Sequence, residues 1–141
     1  MDKAELERHY LETTYSVVIN EEQYNINVGK PLPPVVHALV SKEKTAAILT
    51  AWNPRSNVLS LSENHSRNKN LMSILKDYNV FNSVGQGVDL SWLAEESFFI
   101  VGIQQCDVDK LAIEFEQYSY VWCDNSNAAS LIFTELWNDE F

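Results

Sequence analysis

The chain contains few cysteines and few basic residues. Its 141 residues include two cysteines, Cys106 and Cys123, which are not spaced as in a zinc site or a redox motif. Lysine and arginine number 10 against 20 aspartates and glutamates, so the net charge is -10. Nonspecific binding to nucleic acid needs clustered lysines and arginines, and this balance therefore predicts no nucleic-acid partner.

Long apolar runs are also missing. No apolar stretch approaches the roughly 18 residues of a membrane span, and no charged segment followed by an apolar one opens the chain. We therefore expect no membrane association, no secretory signal and a cytoplasmic location. His9, His37 and His65 are too dispersed to predict a metal site, and no motif predicts a cofactor.

The composition that remains is that of a folded protein. Hydrophobic residues make up 45% of the chain and aromatic residues 11%, which is typical of a globular domain. At 141 residues the chain is long enough for one domain with a real core. We predict a single domain over residues 1–141, with a helix at residues 2–13 and an acidic tail at residues 135–141 that either frays or docks on the body.

The sequence is organised around an apolar run at residues 47–51, which predicts a strand buried on both faces. Pro54 cannot donate a hydrogen bond to a neighbouring strand, so pairing is expected to end before it. Three polar side chains, Asn53, Arg55 and Ser56, are then placed at the carboxyl end of the strand, where ligands often bind in sheets flanked by helices.

A helix follows, whose core-facing stripe is unusually polar. Ser60 and Glu63 fit a capping box, and steps of three and four residues place Asn64 and Asn68 on the same stripe as Leu71. Buried amides need partners. They either tie the helix to the preceding loop or bind a ligand, and the sequence leaves both alternatives open.

The two arginines around this amide pair also have two interpretations. Arg55 and Arg67 are either ordinary solvated side chains or, in a very acidic chain, a seat for an anion. If the two arginines bind an anion, the ligand carries a negative charge.

The remaining pattern predicts an α+β fold. Further strands are expected at residues 15–19, 24–28, 80–84, 98–103, 118–122 and 129–133, a turn at residues 85–87, and helices at residues 35–40 and after Asp107 as the cap. Because helices of crossover length separate several strands, we expect a mixed sheet of about five to seven strands with helices packed on it.

Parts of the sequence resemble an uncharacterised bacterial family, domain of unknown function 3293. The resemblance covers residues 15–133 and is carried most specifically by the Ala-Trp-Asn-Pro run at residues 51–54. The other residues that carry it are Thr50, Arg55, Ser56, the segment 62–64, Asn68, Leu71, Gly85, Trp92, the segment 96–98, Gly102, Leu111, Ala112, Phe115 and Gln117. The spacing of the glycines between Asn79 and Asp89 departs from the family. The resemblance implies a compact α and β domain and no particular activity.

Glu95 and Glu96 are adjacent carboxylates at the start of a predicted strand. Neighbours on a strand point to opposite faces, so at most one of them enters a pocket. Resemblance and chemistry together favour Glu96, and the alternative is a structural carboxylate bonded to backbone amides or to Arg55.

These residues predict a pocket for a small polar or anionic, possibly nucleotide-like, ligand. Its expected lining is Asn53, Arg55, Ser56, Asn64, Arg67, Asn68 and Glu96. The alternative from another class is an adaptor that contacts a protein partner through exposed aromatics and an acidic surface. A hydrolase is less favoured, because Ser56 has no identifiable base close in sequence.

Overall fold

Seven antiparallel strands form one curled sheet in a computed structural model that describes residues 2–89 and 91–141. The strands are β1 (Thr14–Ile19), β2 (Glu22–Asn27), β3 (Ala46–Leu49), β4 (Asn79–Gln86), β5 (Glu95–Val101), β6 (Ser119–Cys123) and β7 (Ala129–Phe133). Their order across the sheet is β2-β1-β4-β5-β3-β6-β7. The helices of the described residues are α1 (Lys3–Glu12), α2 (Pro34–Glu43), α3 (Leu61–Ile74), α4 (Gln105–Glu114) and α5 (Glu135–Glu140), and a single 3-10 turn spans Pro54–Ser56.

The predicted α+β class and strand number are confirmed, but the strands of the sheet pair antiparallel and not in a mixed pattern. The reason lies around α3. This helix connects β3 to β4, and the two strands run in the same direction because both pair antiparallel with β5. Since β5 inserts between them, the crossover does not produce a parallel pair.

Several element boundaries differ from the predicted ones. β4 continues through Gly85 to Gln86, where we predicted a turn. A Cβ atom at Gly85 would lie 3.1 Å from Cε1 of Tyr15, so glycine serves here for close approach within the sheet. Asp107 was predicted to cap α4, but the cap is Gln104 and Asp107 lies in the first turn. The acidic tail docks as α5, with Trp137 buried.

The sheet is covered on both faces, as predicted for β3. Ala46 and Ile48 pack in the core beneath α2, and Ala47 and Leu49 pack in the core beneath α3 and α4. A third, smaller cluster joins the first and last helices. Its buried members are Leu6, Tyr118 and Trp137. None of the helices in the described part is long and apolar enough to cross a membrane.

The two edge strands of the sheet approach each other just beyond the end of β2. The backbone N–H of Gly29 donates to the carbonyl of Ala129 at 2.9 Å, and Val28 and Ala129 form a parallel bridge. The sheet therefore curls around the face that carries α2. On that same face, five strands begin or end around a cavity.

Candidate functional site

The backbone that leaves β3 is held by side chains of α3. The N–H of Ala51 donates to Oδ1 of Asn68 at 2.8 Å, and its carbonyl accepts from Nε of Arg67 at 2.6 Å. The N–H of Asn53 donates to Oδ1 of Asn64 at 2.9 Å. Asn64 and Asn68 are buried, 2% and 4% exposed, so these bonds supply the partners that buried amides need. We call Asn64, Arg67 and Asn68 the bracket.

The loop that the bracket holds has a strained backbone. Asn53, Arg55 and Ser56 have φ values of 46°, 53° and 58°, in the left-handed region that is unfavourable for residues with a side chain. Each such residue costs on the order of 1 kcal/mol or more. The N–H of Arg55 donates to the carbonyl of Glu116 at 2.8 Å, and Glu116 also has a positive φ of 56°. Strain of this kind persists where surrounding contacts enforce it, and it is concentrated at functional sites.

One result of this loop geometry is a fixed orientation of the Asn53 amide. Its Oδ1 accepts from the backbone N–H of Leu59 at 3.0 Å and from Nδ2 of Asn64 at 2.9 Å. Because a backbone N–H can only donate, the oxygen and nitrogen of this amide cannot be exchanged. Nδ2 of Asn53 therefore points away from the bracket and donates to Oε1 of Glu95 at 2.9 Å.

Glu95 lies at one wall of a cavity of about 70 Å³ on the curled face of the sheet. The cavity is bordered where β1, β5 and β6 begin and where β3 and β4 end, and α1 covers it. Its polar and aromatic lining includes His9, Tyr10, Tyr15, Thr50, Asn53, Ser56, Trp92, Glu95 and Ser97. The volume is enough for roughly five water molecules, or a ligand with about five nonhydrogen atoms.

The ionisable groups of this lining are shifted by burial. Glu95 as a residue is partly exposed, but its carboxyl lies inside the protein, and the lost solvation raises its pKa from 4.5 to about 7, although the bond from Asn53 opposes this. Burial lowers the pKa of His9 from its usual 6.5, against the opposing effect of nearby carboxylates, and raises the pKa of Tyr10 to about 12. The pKa of Tyr15 is raised for the same reason.

Hydroxyl groups complete the cavity wall. The phenol of Tyr10 and Oγ of Ser56 share a short hydrogen bond, which joins α1 to the strained loop. Tyr10 cannot act as a base at neutral pH, because its raised pKa keeps the phenol protonated. Among the contacts of the described residues, Ser56 thus has a hydroxyl partner and no histidine or carboxylate that could activate it.

Two of the predicted site residues, Asn53 and Ser56, line the cavity. The three bracket residues lie behind the loop, where they bond to backbone groups and to Asn53. Their contacts are therefore those of side chains that tie the helix to the loop and not those of ligand-binding side chains. Nδ2 of Asn68 donates to the carbonyl of Glu96 at 2.8 Å, and a second nitrogen of Arg67 donates to the carbonyl of Phe115 at 2.6 Å.

Arg55 and Glu96 lie apart from the cavity lining. Nε of Arg55 is 3.4 Å from Oε1 of Glu116 in a partly exposed ion pair, not with Glu96. The side chain of Glu96 is 60% exposed and lies 3.6 Å from Nε2 of His65. The prediction that Glu96 and not Glu95 enters a pocket is therefore wrong. Glu95 pairs with Gly85 in the sheet, and its side chain lies on the face of the sheet that carries the cavity.

The cavity residues His9, Tyr10, Tyr15 and Trp92 were not predicted as site residues. The rings of His9 and Trp92 lie 4.9 Å apart and close the wall next to Gly87. A Cβ atom at Gly87 would lie 2.5 Å from Cε1 of His9. A glycine is therefore needed where α1 crosses the end of β4, because any side chain at this position would collide with His9.

The comparison with known families matches residues 49–119 to the family described as protein of unknown function, DUF3293. This segment is half of the chain. The chain belongs to this family. The match begins at Leu49, the last residue of β3, and contains the strained loop, the bracket, β5 and Gln117, so the DUF3293 segment carries Asn53 and Glu95. Helix α1 and strand β1, which supply Tyr10 and Tyr15, lie outside it. No curated protein and no solved structure matches the chain.

Proposed function

We propose that this DUF3293 domain binds a small polar molecule in the cavity beneath α1. The observation that carries the proposal is the carboxyl of Glu95. It lies inside the protein, and the hydrogen bond found for it among the described residues goes from Asn53 to Oε1 alone. A carboxyl group that is partly desolvated and only half paired is costly, and a ligand or ordered water in the cavity would supply the partner for its other oxygen.

The strained loop supports the same proposal. Four side chains, the bracket and Gln117, bond to the backbone at residues 51–53, and Gln117 donates to the carbonyl of Trp52 at 2.9 Å. Together they offset the unfavourable φ values and deliver Asn53 to Glu95. Such preorganised polar groups are what a binding site needs, since they cost no reorganisation when a ligand arrives.

The geometry gives less support to an anionic or nucleotide-like ligand. A nucleotide is several times larger than the roughly five nonhydrogen atoms that the cavity admits. Arg55 and Arg67, which were expected to meet a negative charge, bond instead to Glu116 and to backbone carbonyls. The proposal is therefore narrowed to a compact ligand without negative charge.

A titration followed by nuclear magnetic resonance tests the proposal. Small amines, alcohols, amides and carboxylates of about five nonhydrogen atoms are added to ¹⁵N-labelled protein. We expect at least one compound to shift the amide signals of Tyr15, Glu95 and Ser97. In Ser97→Leu, whose larger side chain fills the cavity, the shifts disappear, whereas Ser130→Leu at an exposed position of β7 retains them.

Two results would contradict the proposal: no compound perturbs the cavity amides, or the perturbation persists in Ser97→Leu. If Ser97→Leu does not fold, as judged by the dispersion of its amide signals, Ser97→Val fills part of the same space and replaces it. An absence of binding would favour the adaptor alternative. That alternative is supported by the exposed apolar side chains of Val88 and Leu93 next to the cavity, which are 70% and 68% exposed.

We place the protein in the cytoplasm as part of the same proposal. Both cysteines are free, and Cys106 is exposed. An exposed free thiol is compatible with a reducing compartment.

A further inference from the structure

At neutral pH the lining of the cavity can carry charge of only one sign among its described residues. Glu95 is the lining carboxylate, and no lysine or arginine is among the described residues of the lining. His9 is largely neutral at pH 7 because burial lowers its pKa, and the phenols of Tyr10 and Tyr15 are neutral because burial raises theirs. A ligand in the cavity therefore meets either a neutral wall or a negative one.

From the geometry of this wall we infer that the ligand is a small organic cation, a primary ammonium compound of about five nonhydrogen atoms, whose nitrogen pairs with the Glu95 carboxylate. This inference rests on the proposed function and specifies its ligand class. An ammonium group supplies three donors and accepts nothing. The cavity offers matching acceptors in Glu95 and in the hydroxyl oxygens of Tyr10, Ser56 and Tyr15.

The position of Asn53 favours the ionised form of Glu95 when a cation is present. Its Nδ2 can only donate, so it bonds to a carboxylate oxygen and leaves the other oxygen for the ligand. A buried carboxylate without a counter-ion is expensive, and a cation next to it removes much of that cost. An anion would add a second negative charge and is disfavoured.

Aromatic residues around the carboxyl suit a cation as well. His9 and Trp92 pack at 4.9 Å, and Tyr10 and Tyr15 line the same space. The faces of aromatic rings attract ammonium groups by roughly 0.5–2 kcal/mol when water is excluded. The net charge of -10 also concentrates cations around the whole protein.

The affinity should then depend on pH. Binding of a cation requires the ionised carboxylate, so affinity rises as Glu95 loses its proton around pH 7. The titratable groups that face Glu95 are Tyr10 on α1 and Tyr15 on β1, both neutral in this range, with His9 on the same wall. From pH 6 to pH 8 we expect an increase of about tenfold, which is the increase in the ionised fraction of a group with this pKa.

The probes are ethanolammonium and propylammonium, with ethylene glycol as a neutral compound and glycolate as an anionic compound of similar size. Their affinities are measured by calorimetry and amide shifts for the wild type, Glu95→Gln and Glu96→Gln. We expect an ammonium probe to bind the wild type at pH 8 at least tenfold more tightly than either other compound. Glu95→Gln loses that preference and the pH response, and Glu96→Gln keeps both.

The outcomes separate this inference from the proposed function. If ethylene glycol or another neutral compound occupies the cavity and neither ammonium probe does, the inference of a cationic ligand is wrong. The proposed binding of a small polar molecule is then retained. If glycolate binds best, the sign of the ligand charge is wrong. A pH response that survives in Glu95→Gln would assign the titration to His9 and overturn the role of Glu95. If the whole compound panel leaves the cavity amides unmoved, both proposals fail.

Discussion

Asn64 and Asn53 bond to each other twice. Oδ1 of Asn64 accepts the backbone N–H of Asn53, and its Nδ2 donates to Oδ1 of Asn53, both at 2.9 Å. Asn64 thereby satisfies its amide and fixes that of Asn53, whose nitrogen reaches Glu95. The buried stripe of α3 is polar because its amide side chains bond to the backbone of the strained loop, where a neighbouring strand would otherwise supply the hydrogen bonds.

Replacement of Asn64 by alanine should destabilise the protein. The backbone N–H of Asn53 loses its partner inside the protein, and we expect a loss of about 1–3 kcal/mol in the free energy of unfolding. Urea denaturation with an unchanged m value measures it. Asn70→Ala, at an exposed position of the same helix, is the control and should change stability by less than about 0.5 kcal/mol. Equal effects of the two substitutions would contradict the role of Asn64.

The protonation of Glu95 should make stability depend on pH. The folded state raises the pKa of its carboxyl from 4.5 to about 7, so the folded protein binds this proton more tightly than the unfolded chain. The resulting stabilisation is complete below pH 4.5 and is lost as pH rises through 7, by at most about 3 kcal/mol.

Denaturation of the wild type and Glu95→Gln at several pH values isolates this contribution. The glutamine variant cannot ionise, so the wild type should lose stability relative to it between pH 4.5 and pH 7. Glu96→Gln removes an exposed carboxylate from the next position and serves as the control for net charge. A constant difference between the wild type and Glu95→Gln over this range would show that the carboxyl is solvated.

The strain at Arg55 predicts an unusual order of substitutions. Glycine adopts its φ of 53° without cost, whereas alanine retains the strain. Both variants lose the partly exposed contact with Glu116, which is worth little. We expect Arg55→Gly to be more stable than Arg55→Ala by about 1 kcal/mol in thermal or urea unfolding.

At Lys42, in α2, the order should be reversed. Alanine exceeds glycine there by about 1 kcal/mol because the backbone is helical. If alanine is the better residue at both positions, the left-handed conformation of Arg55 is not present in solution.

Two buried hydroxyls should respond in opposite ways to removal. Oγ of Ser83 has no hydrogen-bond partner in the described structure, so Ser83→Ala should leave stability unchanged or raise it by about 1 kcal/mol. Oγ1 of Thr134 donates to the carbonyl of Gln117 at 2.8 Å, and Thr134→Val should lower stability by about 1–3 kcal/mol. Calorimetric unfolding compares the two. Destabilisation of Ser83→Ala to the same extent would mean that its hydroxyl has a partner.

Much of the fold could be predicted because its signals are local. The capping box at Ser60 and the last strand at Ala129–Phe133 occur where the pattern placed them. The burial of Asn64 and Asn68 also followed from helical periodicity alone. The direction of the strands could not be predicted in this way. It depends on the insertion of β5 between β3 and β4, which results from contacts between residues far apart in the sequence.

The location of the site was predicted only in part for the same reason. Asn53 and Ser56 could be identified from the strand end that precedes them. The choice between Glu95 and Glu96 depends on which face of the sheet each residue occupies. Because Phe98 and Phe99 are both apolar, the alternation of polar and apolar residues along the strand does not indicate which face is buried. Tyr10 reaches Ser56 across 46 positions of sequence, and no local pattern indicates that contact.

The contact between the first and last helices has a consequence for how the chain acquires its structure. Leu6 of α1 packs in the same buried cluster as Trp137 of α5, about 130 positions later. Within this domain α1 is made first, yet the cluster that buries Leu6 is incomplete until Trp137 has been added. The helix that covers the Glu95 cavity is therefore among the last parts of the domain to complete its packing, so the cavity wall forms late during synthesis of the domain.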